Sequence, residues 1–513
     1  MTKEDSSKKH VAKNTLFLYF RMILLIGIQL YTVPFVLKGL GVECYGIYNV
    51  VGGIVTLFTF LGNSLASGSQ RFIAYAIGKK DISLQNQVFS TTVTIYYILA
   101  LGVLIILDPI CVWFLNNKMI IPSPHLTAAN VVLQLSFISF FVNLIAIPYN
   151  AAIIAHEKMS IYAYVSILEG CGKLIAAILL SYIKSNTLII YAIMILVINI
   201  LIRIIYCLYC RKNFSECSIV HLTLAKDIRK QLISYLSWNI VGSLANILKQ
   251  QGLNIVMNLF FGPLLNAAHS IAVQIQGLFN QFINNIYIAS RPQLTKNYAK
   301  GNYKEMWTLM NFSSKTTFFL LSLIAIPVLI EGNFFLNLWL HEVPPYTHII
   351  LKLLLISLLL ETLVNPIIGV FQAQNKIKRY QLYSSTILLL IVPLSYIALK
   401  YDSTNPLTPY HFMVVTSFFF AISILAVAKK DLLMNIKQYA KEIILKEVGL
   451  FIVVWYIVHS FASLFNESIF RSLGSVTLTI FIFIPLIWFF GLDKNERQAI
   501  KEFIQKRFSH GST

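Results

Sequence analysis

The sequence is poor in charge: only 12% of its residues are Asp, Glu, Lys or Arg, about half the share of an ordinary soluble domain. A water-facing globule of two or three domains is excluded on that ground, because too little of its surface could be solvated. Acid is scarcer still, with 21 Asp+Glu against 41 Lys+Arg. The six cysteines are scattered, mostly in or beside apolar runs, so no disulfide framework is expected. Cys207-x-x-Cys210 with Cys217 and His221 lacks the second ligand pair of a zinc knuckle, and no metal site is expected. A Gly-rich nucleotide loop and a paired-carboxylate motif are also missing, which argues against nucleotide-dependent or acid–base chemistry.

What the chain has in abundance is hydrophobic residues, 57% of the total, with a mean hydropathy of +0.71. Apolar stretches of the length that crosses a bilayer, about 20 residues, recur along nearly its whole length. They predict an all-α polytopic membrane protein of about fourteen transmembrane helices. The first six spans are about 15–37, 45–66, 87–114, 128–154, 161–183 and 187–208. The next six are about 232–260, 264–289, 306–330, 347–373, 381–399 and 409–428, and two more follow at about 446–465 and 472–490. The apolar run after Lys8, Lys9 and Lys13 is longer than a signal-peptide core and has no small-residue cleavage site, so it is expected to stay as the first span.

The basic surplus follows the connections. With the N-terminus inside, thirty Lys+Arg fall in the inside segments and five (Lys38, Lys118, Lys184, Lys400, Arg471) in the outside loops. That asymmetry places both termini in the cytoplasm and removes nucleic acid as the reason for the charge. The longest outside loop, 331–346, offers Glu331, His341 and Glu342 without a basic residue. The inside connection 429–445 alternates Leu432, Leu433, Ile436, Tyr439, Ile443 and Ile444 with Lys437 and Lys441. That pattern fits a helix lying on the inner leaflet and fits a solvated linker helix equally well.

A repeat is visible within the chain. Pro148, Ala155, Lys158 and Tyr162 recur as Pro366, Ala373, Lys376 and Tyr380, all offset by 218 residues. It divides the chain into an N-terminal six-helix lobe (1–208), a cytoplasmic linker (209–231), a C-terminal six-helix lobe (232–428), the connection 429–445, an extra helix pair (446–490) and a tail (491–513). Six is even, so both lobes insert the same way, related by a pseudo-two-fold along the membrane normal with a central cavity between them.

Polar stripes mark the faces that avoid lipid. Asn49, Gly53, Thr56, Asn63 and Ser67 stay within about 80° of arc on span two, at 100° per residue. Span eight repeats the device with Ser270, Gln274, Gly277, Gln281 and Asn284, and span seven carries Asn239, Ser243, Asn246 and Gln250. Asn14, Arg21 and Thr32 share a face of span one, with Gln29 close by. Such residues line a hydrophilic cavity or glue packed helices together; four stripes in matching places favour the cavity.

Arg21 and Lys249 have no carboxylate within helical reach, and cations facing a cavity suit an anionic substrate such as a phosphate or pyrophosphate. Glu169 and Lys173 pair at i, i+4, a structural bridge or an ion site. Glu361 lies in span ten, five residues before Pro366. Lys315, Lys352 and Arg203 lie within snorkelling distance of an interface and are discounted.

These features resemble the MOP exporter superfamily, and within it the bacterial polysaccharide-export branch of O-antigen and capsule repeat-unit flippases. The resemblance rests on the fourteen spans, the two halves, Arg71-Phe72-Ile73-Ala74-Tyr75 leading to Gly78-Lys79-Lys80-Asp81, and Ala155-His156-Glu157-Lys158. It covers residues 10–490, and its motifs are architectural rather than catalytic. It implies alternating access at the bacterial inner membrane, with an undecaprenyl-pyrophosphate-linked oligosaccharide as substrate. It implies action as a monomer, and a polysaccharide polymerase as the partner to look for. Basic residues on the first helix recur in these flippases, and Arg21 fits that place. Drug-exporting relatives often carry an acid there; span one has none. The energy source stays open, with Glu169 and Glu361 as candidates for a proton or sodium site. A cation-coupled multidrug exporter of the same fold is the alternative, and a membrane enzyme of polysaccharide assembly the second.

Overall fold

The computed structural model describes residues 3–79, 81–156, 158–218, 244, 247–340, 342–374 and 376–498. Among them every regular element is helical. The chain forms two compact units, Met1–Ser270 with Leu340–Pro345 and Ile271–Trp339 with Tyr346–Thr513.

The first unit contains α1 (Lys3–Leu40), α2 (Val42–Thr56), α3 (Thr59–Lys79), α4 (Ile82–Gly102), α5 (Asp108–Asn117), α6 (Leu126–Ala155), α7 (Met159–Leu180) and α8 (Thr187–Asn213). Its last helix is α9, 247–261. The unit boundary falls inside α10 (Pro263–Ala299). The second unit continues with α11 (Tyr303–Trp339), α12 (Thr347–Thr362), α13 (Asn365–Ala373), α14 (Ile377–Tyr401) and α15 (Thr408–Asp431). It ends with α16 (Ile436–Tyr439), α17 (Leu445–Ser463) and α18 (Ile469–Leu486).

Eleven helical stretches among the described residues are long and apolar enough to cross a membrane. The difference from fourteen has identifiable causes. Span two divides into α2 and α3, because Thr56 and Thr59 turn their hydroxyls back to the carbonyls of Gly53 and Thr56, a bond that bends helices. Span seven is described only over α9 and residue 244. Span eight is α10, 37 residues long but too polar to qualify.

Prolines set the other interruptions. Pro109 has no N–H to donate, and a π-turn at Val103–Leu107 absorbs the mismatch between α4 and α5. Pro366 likewise separates α12 from α13. The connection after α15 differs from a helix lying apart on the leaflet. Residues 436–444 run through α16 and a π-turn, Ala440–Ile444, directly into α17. The connection expected at 331–346 is shorter, since α11 extends to Trp339 and takes Glu331 into the protein interior.

The internal repeat has a backbone counterpart in each unit. Lys158 N–H donates to Ile153 O at 3.0 Å, and Lys376 N–H donates to Phe371 O at 2.9 Å. The residues that cap the preceding helices, His156 and Gln374, have φ/ψ of −83°/7° and −87°/0°. Identical side chains at an offset of 218 thus mark the same helix–turn–helix corner. In the first unit this corner sits on a core formed by Ile73, Phe89, Tyr149, Ile153 and Tyr206.

Candidate functional site

Three basic residues of the first unit, Arg21, Lys173 and Arg203, gather on or against α7. Leu25 and Ile28 of α1 pack where Gly170 leaves room, a Cβ there falling 2.8 Å from Leu25 Cδ2. That register carries Arg21, one turn earlier, onto the first turns of α7. Its Nη1 donates to Ser166 Oγ at 3.4 Å, its guanidinium lies 4.7 Å from the Tyr162 ring centre, and its buried Nε has no hydrogen-bond partner among the described residues. One turn along α7, Lys173 Nζ donates to Glu169 Oε1 at 2.8 Å.

Arg203 of α8 completes the cluster. Its Nε donates to Asn143 Oδ1 of α6 at 2.8 Å, it lies 5.8 Å from the Tyr206 ring centre, and its charge acts on Glu169. This corrects the reading of Arg203 as a snorkelling residue: an acceptor from α6 holds it inside the helix packing. Lys173 and Arg203 therefore both act on Glu169, while Arg21 lies one turn away on Ser166 and Tyr162. An excess of cations in spanning helices is costly and marks a functional region.

Beside this cluster lies a cavity of about 200 Å³ between α2, α6 and α8. Tyr48, Gly52 and Thr56 line it from α2, with Thr59 at the start of α3. Ser136, Ser139, Phe140 and Asn143 line it from α6, and Ala192, Ile195 and Asn199 from α8. Asn143 belongs to both features, as cavity wall and as the anchor of Arg203. Two signals for this site stood in the sequence: Ser136, Ser139 and Asn143 at spacings of 3 and 4, and Asn199 with Arg203 at i, i+4.

The amides of α2, α9 and α10 are largely committed to one another. Asn254 donates to Asn49 O at 3.2 Å, and Asn266 donates to Asn254 Oδ1 at 2.8 Å. Asn258 donates to Asn266 Oδ1 at 3.0 Å and accepts from Ile120 N–H at 3.0 Å. Gly53 faces this network, a Cβ there meeting Asn254 and Gln251 at 2.7 Å. Gly46, two turns earlier, lies directly on the Pro263 carbonyl. One side of α2 is therefore packed against α9 and the start of α10, while Gly52 and Thr56 face the cavity.

The remaining predicted residues are dispersed. Asn49 also donates to Tyr45 O, and Thr32 to Ile28 O. Gln29 and Gln250 are exposed, whereas Lys249 is buried on α9, two residues from Gln251 and so on another side of that helix. The Asn63 side chain, Asn239, Asn246 and His221 lie outside the described residues. In the second unit Gln274 is half-buried, Gln281 and Asn284 are exposed, and Glu361 accepts from Ser417 Oγ at 3.0 Å.

Two further corrections concern the second unit. Lys315 does not snorkel: its Nζ donates to Asp493 Oδ2 at 2.8 Å and Glu496 Oε2 at 2.9 Å. The chain after α18 thus folds back onto α11. Glu331 is not a loop acid. It accepts from Arg471 Nη2 at 2.6 Å and Ser475 Oγ at 2.9 Å, a pairing of residues 140 apart in sequence. Both bonds were hidden because an ion pair between distant helices leaves no local pattern.

No protein-family model matches the chain. Over 321 residues it is 20% identical to the protein of Bacillus subtilis (strain 168) named Uncharacterized membrane protein EpsK, a match over 62% of this chain and 63% of that protein. The chain therefore spans less than two thirds of this relative's length. Its fold is similar to that of a structure described as the inward-facing conformation of a multidrug resistance MATE family transporter of the MOP superfamily, with a TM-score of 0.69, 16% identity and coverage of 82% and 99% of the two chains. The lipid II flippase MurJ in an inward closed conformation also has a TM-score of 0.69, with 15% identity and coverage of 93% and 98%. A MOP superfamily transporter from Pyrococcus furiosus, described as having a binding pocket of reverse polarity, follows with a TM-score of 0.59, 16% identity and coverage of 83% and 96%.

Proposed function

From the fold of a MOP-superfamily transporter, we propose that this multi-pass membrane protein is a flippase. Its cargo is an undecaprenyl-pyrophosphate-linked oligosaccharide, carried across the bacterial inner membrane by alternating access for surface polysaccharide synthesis. The observation that carries this reading is the charge balance of the first unit. Three cations, Arg21, Lys173 and Arg203, gather on or against α7, the last two acting on Glu169, and α1 contributes a cation where a cation exporter would need an acid. Guanidinium groups in a low-dielectric setting bind phosphate oxygens through paired N–H donors. The adjoining cavity has a largely apolar wall in which Thr56, Ser136, Ser139, Asn143 and Asn199 offer hydrogen bonds of the kind sugar hydroxyls make.

The comparisons support the reading at a coarser level. The flippase-named fold covers 93% of this chain and the drug-transporter fold 82%. The likeness to EpsK adds a bacterial membrane protein as a distant relative.

The test is a lipid extract from a deletion strain that has no second flippase. Accumulation of undecaprenyl-pyrophosphate oligosaccharides with loss of surface polysaccharide is the expected result. Unchanged lipids and polysaccharide overturn it, and efflux of organic cations then becomes the assay for the exporter alternative.

A further inference from the structure

Glu447, in the first turn of α17, is wholly buried. Among the described residues neither of its carboxyl oxygens has a hydrogen-bond partner within 3.5 Å. Glu331 is equally buried, but an arginine and two serines donate to it. The two acids share a burial state and differ in what holds a negative charge in place.

The groups facing Glu447 come from every helix around it. Ser314 of α11 is its neighbour able to hydrogen-bond, and Lys315 of α11, Tyr439 of α16 and Tyr287 of α10 lie within electrostatic range. The Ser314 and Tyr439 hydroxyls are 3.2 Å apart, and Tyr439 donates onward to Leu363 O at 2.7 Å. The Lys315 ammonium is already committed to Asp493 and Glu496, and Lys446, beside Glu447 on its own helix, lies 3.4 Å from Asp493. Two lysines balance two acids, and Glu447 is the acid left over.

We propose that Glu447 is a proton-binding site, and that its proton controls the Lys315–Asp493–Glu496 clasp. An ionised carboxylate without donors is unstable in a dry interior. The neutral acid needs only one acceptor for its O–H, and the Ser314 hydroxyl is the neighbour able to offer it. The neighbouring ammonium repels a metal cation but not a proton on a neutral acid. Once the proton leaves, Lys315 is the cation at hand. It turns toward Glu447, and Asp493, whose side chain is 59% exposed, passes to water. Residues 492–498 are then released from α11. None of this depends on what the transporter carries.

The test is labelling of the full-length protein in membrane vesicles with dicyclohexylcarbodiimide, which reacts with protonated carboxyls in apolar surroundings. Sites are mapped by mass spectrometry from mildly acidic to alkaline pH. Glu447 is expected to label at neutral pH and to fade at alkaline pH, while Glu331 stays unlabelled. Labelling of Glu447 no greater than that of Glu331 overturns the proposal. A second measurement uses Glu447→Gln, which mimics the neutral acid. Its thermal midpoint should match wild type at neutral pH and exceed it at alkaline pH; a large loss at neutral pH would mean the charge is required and would sink the idea.

Discussion

His156 Nε2 lies 2.6 Å from Glu216 Oε1, and the His156 ring lies flat on Phe214, with centroids 4.0 Å apart and planes 5° from parallel. The contact ties the end of α6 to the turn Ser215–Cys217 that follows α8. Behind it Cys210 and Cys217 are buried free thiols, and Cys210 Sγ contacts Tyr149 O at 3.4 Å. The corner that the internal repeat marks in the sequence is therefore closed in the first unit by a histidine–carboxylate hydrogen bond beside an aromatic ring.

That pair gives stability a direction with pH. Burial pushes the Glu216 carboxyl up, but hydrogen bonds from His156, from its own backbone N–H and from Ser215 outweigh it and hold the group below its ordinary value. A depressed carboxyl contributes stability above its unfolded value and loses it as pH falls through the folded one. The thermal midpoint of the purified protein should therefore fall in acid. Glu216→Gln should flatten that dependence and cost about 2 kcal/mol at neutral pH, the size of a charged hydrogen bond. An unchanged acid limb in Glu216→Gln would show that other groups set it.

Two neighbouring glycines on α2 should answer oppositely to a methyl group. A Cβ on Gly46 strikes the Pro263 carbonyl, which belongs to backbone and cannot swing aside, whereas a Cβ on Gly52 meets nothing within 4 Å. Gly46→Ala is expected to cost about 3 kcal/mol, the upper range for overpacking. Gly52→Ala should leave the thermal midpoint unchanged while narrowing the cavity. Equal midpoints for the two variants would refute the close approach of α2 to Pro263.

Arg203 should matter to transport more than its position in the sequence suggests. Arg203→Gln keeps a donor for Asn143 but removes the charge. Export in a complementation assay should drop about tenfold, as loss of one charge-assisted contact worth about 1.4 kcal/mol implies, with membrane abundance unchanged. Arg21→Gln should act in the same direction. Full export from the double variant would exclude the cationic cluster from substrate handling.

The Lys315 clasp is open to a double-mutant test. Lys315→Met leaves Glu496, 8% exposed, without its counter-charge and should cost about 3 kcal/mol. Adding Glu496→Gln should restore most of it, because the stranded charge is gone. Additive losses in thermal midpoint would mean that the two side chains act independently.

Much of the fold was legible because it rests on local properties. Apolar runs report the bilayer as solvent, and the recurrence of Pro148, Ala155, Lys158 and Tyr162 reports a helix corner whose hydrogen bonds lie within a few residues. The span boundaries slipped where a local bend, at Thr56 or Pro366, broke one apolar run into two helices. The polar stripe on span two was visible, but its division was not. Gly53 packs on amides while Thr56, three residues on, faces a cavity, and only the neighbour on each side separates glue from lining.

The sequence by itself determined that this chain is an all-helical, multi-pass membrane protein and that one helix corner recurs 218 residues on. Hydropathy, charge bias and short-range turn chemistry act residue by residue, so they survive in a linear string. The tertiary structure decided which charges are paired. Glu331 with Arg471, Lys315 with Asp493 and Glu496, and Arg203 with Asn143 are joined across 60 to 181 residues. An ion pair depends on distance and desolvation after packing, and neither quantity exists until the helices have met.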